Sequence, residues 1–354
     1  MKAAILTDNQ KIEIKDTDLP KISEDECLVK IKNVGICSSD IQRGFGSGAY
    51  FYPLIMGHEM SGQIEEVGSK VKNLKQGDKV GIFPLLPCFK CESCKQKKYV
   101  RCKDYSYYGS RKNGAYAEYL NVKSWNLIKI DQDLDFRDIA CLEPMSVSLH
   151  CLKRLELNNK DSKNIIIIGA GFLGLIAAQI IKIKFPNYKL TVVDRNSFKL
   201  DIAKKYSDET ILLKDQKGWQ SFLNEDGANN FDIVIEATGV PFSFVNAIDL
   251  TKEGGKCLWM GNITDDLSIN KKTVSSILRK EITILGTWNS DYDPDGKTDD
   301  WRESVDLIKN HGVNPSKIIT HYIKLQEVPE YILRLYNHKN RIDKFDSIKV
   351  MIEN

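Results

Sequence analysis

The sequence has no apolar run of membrane-spanning length, no excess of either charge, no internal repeat and no low-complexity linker. Without about 20 consecutive apolar residues a helix does not cross a bilayer. The opening stretch MKAAILTDNQKIEIKD turns polar too early for a signal peptide, so the cytosol is the expected compartment. Lys and Arg number 51 against 48 Asp and Glu, interspersed, for a net charge of +3, and the basic footprint of a nucleic-acid binder is missing. A disulfide framework is disfavoured too. Nine cysteines are an odd number in a large chain, and four crowd into one short stretch, which reads as metal binding in a reducing compartment. What is present is 354 residues, 42% of them hydrophobic, enough for two domains with separate cores.

The most informative stretch is IIIIGAGFLG, residues 165–174. Four apolar residues run into Gly169-x-Gly171-x-x-Gly174 and then into an apolar-periodic segment, the pattern of a strand, a tight turn and a helix start. Gly169 permits the turn, Gly171 lets the backbone approach a pyrophosphate, and Gly174 lets the helix lie close on the strand. Phe172 and Leu173 complete the motif at a helix N-terminus whose free N–H groups suit phosphate. A second strand, Leu190–Val193, ends on Asp194, where a carboxylate would accept hydrogen bonds from an adenosine ribose. A dinucleotide site is the reading. A ribose 2′-phosphate would meet the Asp194 carboxylate at close range, which favours NAD over NADP. Arg195 complicates this, because a guanidinium can face a 2′-phosphate or stack on adenine.

Around that motif the chain divides. Residues 1–150 are β-rich, with apolar runs at Lys2–Leu6, Cys27–Val34, Ser61–Val67, Lys79–Phe83 and Ala115–Val122, and a lobe inserted at 84–112. Residues 151–288 alternate strands with helical segments. The strand candidates are 165–168, 190–193, 210–213, 231–236, 256–261 and 282–287, the number in a complete doubly wound domain. Asn196 or Ser197 caps the helix that runs to Tyr206. The tail, 289–354, carries helical segments near 301–310 and 327–338 and a last strand near 347–352, whose return to the first domain would close it.

Two metal sites are legible. Cys88-x2-Cys91-x2-Cys94-x7-Cys102 can close four sulfurs around zinc and leave no open position, so the site is structural, holding a lobe with little apolar core of its own. An iron–sulfur cluster or unrelated core cysteines are the competing readings of this spacing. Upstream, Cys37 in Gly35-Ile36-Cys37-Ser38-Ser39-Asp40, His58 and Glu59 after Gly57, and Glu143 before Pro144 are each uninformative alone. Together they supply a thiolate, an imidazole and two carboxylates, and a catalytic zinc needs three protein ligands and an open position.

In order and type, these motifs together with Gly169-Ala-Gly-Phe-Leu-Gly resemble the zinc-dependent medium-chain alcohol/polyol dehydrogenases nearly end to end. Gly48-Ala-Tyr-Phe-Tyr-Pro53, Pro84-Leu-Leu-Pro-Cys88, Tyr108-Gly-Ser-Arg-Lys112, Ala117-Glu-Tyr119, Glu143-Pro-Met-Ser-Val-Ser-Leu-His150, Ile277-Leu-Arg-Lys-Glu281 and Gly286-Thr-Trp288 resemble the polyol branch more than the threonine or simple-alcohol branches. The resemblance implies an α/β protein with a GroES-like β-rich catalytic domain (1–150, lobe 84–112), a doubly wound Rossmann domain (151–288) and a C-terminal segment (289–354) completing the first. It places the active site in the cleft between domains. It makes Cys37 and His58 zinc ligands, and Glu59 and Glu143 the two carboxylates, one direct and the other acting through the zinc water or exchanging with it. Ser39 becomes the hydroxyl that passes the substrate proton outward. Two zinc ions per chain, one catalytic and one structural, and NAD are the implied cofactors. Two departures stand out: Ser38 replaces a usual glycine, and Asp346-Ser347 replaces the glycine before the final strand.

The substrate implied is a small polyol or polyol phosphate. A phosphate needs a basic anchor, for which Arg43, Arg111, Lys112, Arg279 and Lys280 are candidates. Tyr50 and Tyr52 can hydrogen-bond polyol hydroxyls or pack at a rim, with Tyr52 favoured because it precedes His58 by six residues. A sorbitol/xylitol- or butanediol-type dehydrogenase on an unphosphorylated substrate is the second reading, and a non-catalytic NAD(H)-binding sensor the third. The apolar edge strand near Ile282–Thr287 points to a homodimer or homotetramer. Neither a nucleic acid nor a membrane is an expected partner.

Overall fold

Ile165, Ile166, Ile167 and Ile168 are buried almost completely, because the strand that carries them, Asn164–Ile168, runs through the middle of a six-stranded sheet. A strand covered on both faces reads as a continuous apolar run, which is why its signal is so strong. The computed structural model describes residues 1–224 and 230–354. The chain forms two units: Met1–Pro144 with Asp291–Lys309 and Asn314–Asn354, and Met145–Ser290 with Asn310–Val313.

In the second unit the strand order is Glu209–Leu212, Lys189–Asp194, Asn164–Ile168, Phe231–Glu236, Thr251–Trp259, Thr283–Gly286, and every pairing is parallel. This is the doubly wound order, with its reversal between Asn164–Ile168 and Phe231–Glu236. All six expected strands are there. The fifth begins earlier than the expected 256, at Thr251, because Gly254 (φ +66°) and Gly255 sit inside the strand and read as a turn in the sequence. Helix Phe172–Lys184, buried along most of its length, covers the sheet after the glycine turn. The helix expected to reach Tyr206 stops at Ala203, and its cap is Asn196, whose side chain accepts the Phe198 N–H.

The first unit is built on a seven-stranded sheet. Strand Glu26–Gly35 pairs antiparallel with Glu59–Val67, with Tyr119–Lys123 and with the last strand, Val350–Glu353. The C-terminal strand thus returns to this sheet, in register Met351 to Gly35. Two register shifts in the pairing with Glu59–Val67 curve the ten-residue strand. Its inward side chains, Val29, Ile31 and Val34, pack with Leu6, Met56, Ile64, Val80 and Tyr116 in one core. The run Ala115–Val122 is strand only from Tyr119, since Tyr116 and Glu118 turn their carbonyls to Ala4 and Ile31 instead. The cysteine lobe has more apolar support than its sequence suggests. Cys94 and Cys102 join a core with Tyr99, Phe83 and Trp301, and Trp125 stacks edge-on against Tyr99 and Tyr292 at 5.1 Å each.

Candidate active site

Strand pairing brings the chemistry together. Gly35, the last residue of its strand, lies opposite Glu59, the first of the next. A Cβ on Gly35 would lie 2.0 Å from Glu59 Oε2, so any larger residue here would push the carboxylate out of its place. Two residues on, Cys37 caps helix Ser38–Phe45, while His58 directly precedes Glu59. The result is that Cys37, His58 and Glu59 place their ligand atoms within 4.8 Å of one another. Glu143 stands beside this trio rather than in it, in the first turn of helix Leu142–Arg154. Its carboxylate accepts a hydrogen bond from Tyr107 Oη at 3.0 Å, and the Tyr107 ring packs edge-on against His58 at 5.7 Å.

Charges around the trio are arranged, not incidental. Asp40 is fully buried and accepts from the Cys37 N–H (3.1 Å), Arg43 Nη1 (3.0 Å) and Tyr116 Oη (2.9 Å). Burial alone would raise its pKa, but His58, Arg43 and these donors outweigh burial and hold it at about 2. For His58 burial opposes the charged form, and the Asp40 carboxylate and Cys37 thiol override it, raising the imidazole well above its ordinary 6.5. Glu143 behaves oppositely. Burial is the main cause that pushes its carboxyl up to about 7, with Glu59 adding to it against the pull of His58. Glu59 itself meets Lys349 Nζ at 2.7 and 2.6 Å, one oxygen each, in a pair that is 6% and 2% exposed. The register of the C-terminal strand delivers this lysine: Ile36 N–H bonds to Val350 O, and Lys349 precedes that residue.

These donors fit a zinc ion. A thiol, an imidazole and a carboxylate converge within 4.8 Å, and the Nδ1 side of the imidazole faces Asp40 Oδ1 at 3.4 Å. Sequence reasoning named the four ligand candidates and Ser39, which lies half-buried in the first turn of helix Ser38–Phe45. It missed Asp40 as a partner, and Tyr107, Tyr116 and Lys349 altogether. Only Asp40 carried a signal, as a carboxylate three residues after a helix-capping cysteine.

Cys88, Cys91, Cys94 and Cys102 form a second group within 4.8 Å, all free of disulfides. Backbone N–H groups of Cys88 and Cys91 point at Cys102 and Cys88 Sγ at 3.3 and 3.4 Å. Such bonds favour thiolate: backbone donors are the leading cause that lowers Cys91 to about 6 and that lowers Cys88, while burial pushes Cys94 up to about 12 and raises Cys102. Four sulfurs so placed fit a closed tetrahedral ion.

In the second unit Gly169 has φ +112°, and a Cβ there would meet Thr238 Cγ2 at 2.8 Å. Gly174 approaches Gly169 O so closely that a Cβ would come within 2.0 Å, whereas around Gly171 nothing lies within 4 Å. That open space at the start of helix Phe172–Lys184 fits a pyrophosphate. Phe172 is buried, and Leu173 O accepts from Ser148 Oγ. Asp194 ties the turn: Oδ2 accepts the Ala170 N–H at 2.8 Å and Oδ1 the Asn196 N–H at 2.9 Å, while Arg195 is exposed. Glu236, unnoticed in the sequence, is buried at the end of its strand and takes bonds from Thr238 N, Gly239 N and Ser243 Oγ, holding the loop that touches Gly169.

The basic candidates separate. Arg43 is paired to Asp40, Lys112 lies 3.8 Å from Glu26 and over the Tyr108 ring, and Lys280 donates to the Asp249 and Thr251 carbonyls. Arg279 bonds Ser275 on helix Lys271–Arg279 of the second unit. Arg111 sits between the Tyr50 and Tyr105 rings. Tyr52 Oη accepts the Ala49 N–H, so its ring holds the 48–53 loop.

The family descriptions "Alcohol dehydrogenase GroES-like domain" and "Zinc-binding dehydrogenase" match residues 23–132 and 173–310. The chain is 33% identical to galactitol 1-phosphate 5-dehydrogenase of Escherichia coli (strain K12) over 325 residues, 91% of this chain and 92% of the relative. It is 27% identical to sorbitol dehydrogenase of Bacillus subtilis (strain 168), covering 99% and 97%. The crystal structure of galactitol-1-phosphate dehydrogenase from Escherichia coli superposes with a TM-score of 0.88 at 31% identity, covering 100% of both chains.

Proposed function

The chain belongs to the zinc-type medium-chain polyol dehydrogenases, and from that premise we propose that it transfers hydride between NAD and a secondary alcohol of a polyol phosphate, galactitol 1-phosphate giving tagatose 6-phosphate. The observation that supports catalysis most directly is the convergence of Cys37, His58 and Glu59 within 4.8 Å, since a chain that only sensed NAD(H) has no use for it. Cys37 and His58 with Glu59 or Glu143 would hold the catalytic zinc, and Cys88, Cys91, Cys94 and Cys102 the structural one. On this reading residues 1–150 and 289–354 form the catalytic domain and 151–288 the dinucleotide domain.

A bound zinc supplies a Lewis acid toward the substrate hydroxyl, and the nicotinamide supplies the hydride acceptor. The chain's own groups do the rest. Asp40 orients His58, Lys349 balances the charge of Glu59, and Tyr107 Oη holds Glu143 on the side facing His58. Ser39 Oγ, half-buried in its helix turn, takes the hydroxyl proton and passes it outward. Asp194 favours NAD, because a 2′-phosphate beside it would meet its charge. The edge strand Thr283–Gly286, paired on one side within the chain, supports a homodimer or homotetramer.

The test is kcat/KM, by NADH absorbance, for galactitol 1-phosphate against galactitol and sorbitol on zinc-loaded protein. A preference of about a hundredfold for the phosphate, about 2.7 kcal/mol, is expected. Equal or inverted preference would reassign the protein to an unphosphorylated polyol or diol, as in its sorbitol dehydrogenase relative.

A further inference from the structure

Most cations near the candidate metal trio are already spoken for: Arg43 by Asp40, Lys349 by Glu59, Lys112 by Glu26. Among the described residues two of these cations have no carboxylate partner: Lys339, close enough to Cys37 to interact with it electrostatically, and Arg111. Its guanidinium lies 4.6 Å from the Tyr50 ring centroid and 4.2 Å from that of Tyr105, and Nη2 donates to Tyr50 Oη at 3.3 Å. Among the described residues no carboxylate pairs with it.

The Tyr50 and Tyr105 rings and hydroxyls hold the guanidinium without neutralising it, and the N–H groups beyond those two bonds stay open to an anion. A planar fork held in one orientation reads a phosphate through two parallel hydrogen bonds, which a solvated lysine does not. Tyr50 is 69% exposed, so the stack opens to solvent instead of closing a core.

The stack is also tied to the reacting end. Tyr105 and Tyr107 flank Ser106, and their rings lie 6.3 Å apart. Tyr107 in turn packs on His58 and donates to Glu143. A six-carbon chain with its secondary alcohol at the trio carries an anion at its far end, and the tyrosines lead from the trio to Arg111.

We propose that Tyr50, Arg111 and Tyr105 form the phosphate-reading subsite of this enzyme, with Arg111 setting its preference for a polyol phosphate over the free polyol. The assignment rests on the polyol-phosphate reading above. The experiment measures the ratio of kcat/KM for galactitol 1-phosphate to that for galactitol in zinc-loaded wild type, Arg111→Gln, Arg111→Lys and Tyr50→Leu, with thermal unfolding of each variant alongside. Arg111→Gln is expected to lower the ratio by about tenfold or more, through KM for the phosphate ester. Arg111→Lys restores only part of it, because the charge returns without the planar fork. Tyr50→Leu, at an exposed position that does not threaten folding, lowers the ratio about threefold. A purely structural Arg111 would depress both substrates together and leave the ratio unchanged, which overturns the proposal while the substrate reading stands. A wild-type ratio near one overturns both. Should Arg111→Gln fail to fold, an unchanged ratio in both Tyr50→Leu and Arg111→Lys refutes the subsite.

Discussion

Replacing Lys349 with Met isolates one ion of a buried pair. Its ammonium lies 2.7 and 2.6 Å from the two oxygens of Glu59, and both side chains are nearly inaccessible. A carboxylate left in that position loses its cation and has no water to replace it, a situation that costs about 3–5 kcal/mol. A bound zinc supplies a second positive charge beside Glu59, so the zinc-loaded variant should lose less than the metal-free one. Calorimetry of metal-free Lys349→Met at pH 8 should show a fall of roughly 10 °C. The double variant Lys349→Met with Glu59→Gln should recover part of it, since no unpaired charge remains. A loss below about 1 kcal/mol in the metal-free single variant, or an equal loss with and without zinc, would refute the view that this lysine balances the charge at the metal trio.

Glu143 makes a pH prediction whose sign is fixed by its raised folded-state value. Below its ordinary 4.5 both folded and unfolded chains are protonated; between there and about 7 only the unfolded chain ionises, so metal-free stability falls as pH rises, by at most about 3 kcal/mol, and the loss is complete above 7. Unfolding midpoints of metal-free wild type and Glu143→Gln at pH 5 and 8 check this: the variant should show the smaller decline, and an equal decline would remove Glu143 as its source. Asp194→Ala should narrow the ratio of kcat/KM for NAD over NADP by about tenfold, while also loosening the glycine turn through loss of the Ala170 bond; an unchanged ratio would mean that Asp194 does not discriminate.

What could be read from the sequence was local. The glycine turn, the cysteine knuckles and the run of isoleucines each depend on neighbours within a few residues, and the structure places them as that spacing requires. Lys349 was invisible for the opposite reason: it meets Glu59 across 290 residues of chain, through the register of a terminal strand that no local pattern encodes. Tyr116 reaches Asp40 across 76 residues and Tyr107 reaches Glu143 across 36, so the polar frame of the site appears only once the sheet is assembled. Arg111 and Lys112 are adjacent and equally basic in sequence. Folding sends one between two tyrosines and the other toward Glu26.

The proposed function places a catalytic zinc at Cys37, His58 and a glutamate, apart from the structural ion at the four cysteines. Zinc per chain, measured by elemental analysis alongside NADH formation in wild type, Cys37→Ser and Cys91→Ser, tests it most directly. About two ions are expected in wild type and about one in Cys37→Ser, with turnover abolished while NADH binding and folding persist; Cys91→Ser loses the other ion. Two ions and normal turnover in Cys37→Ser would contradict it.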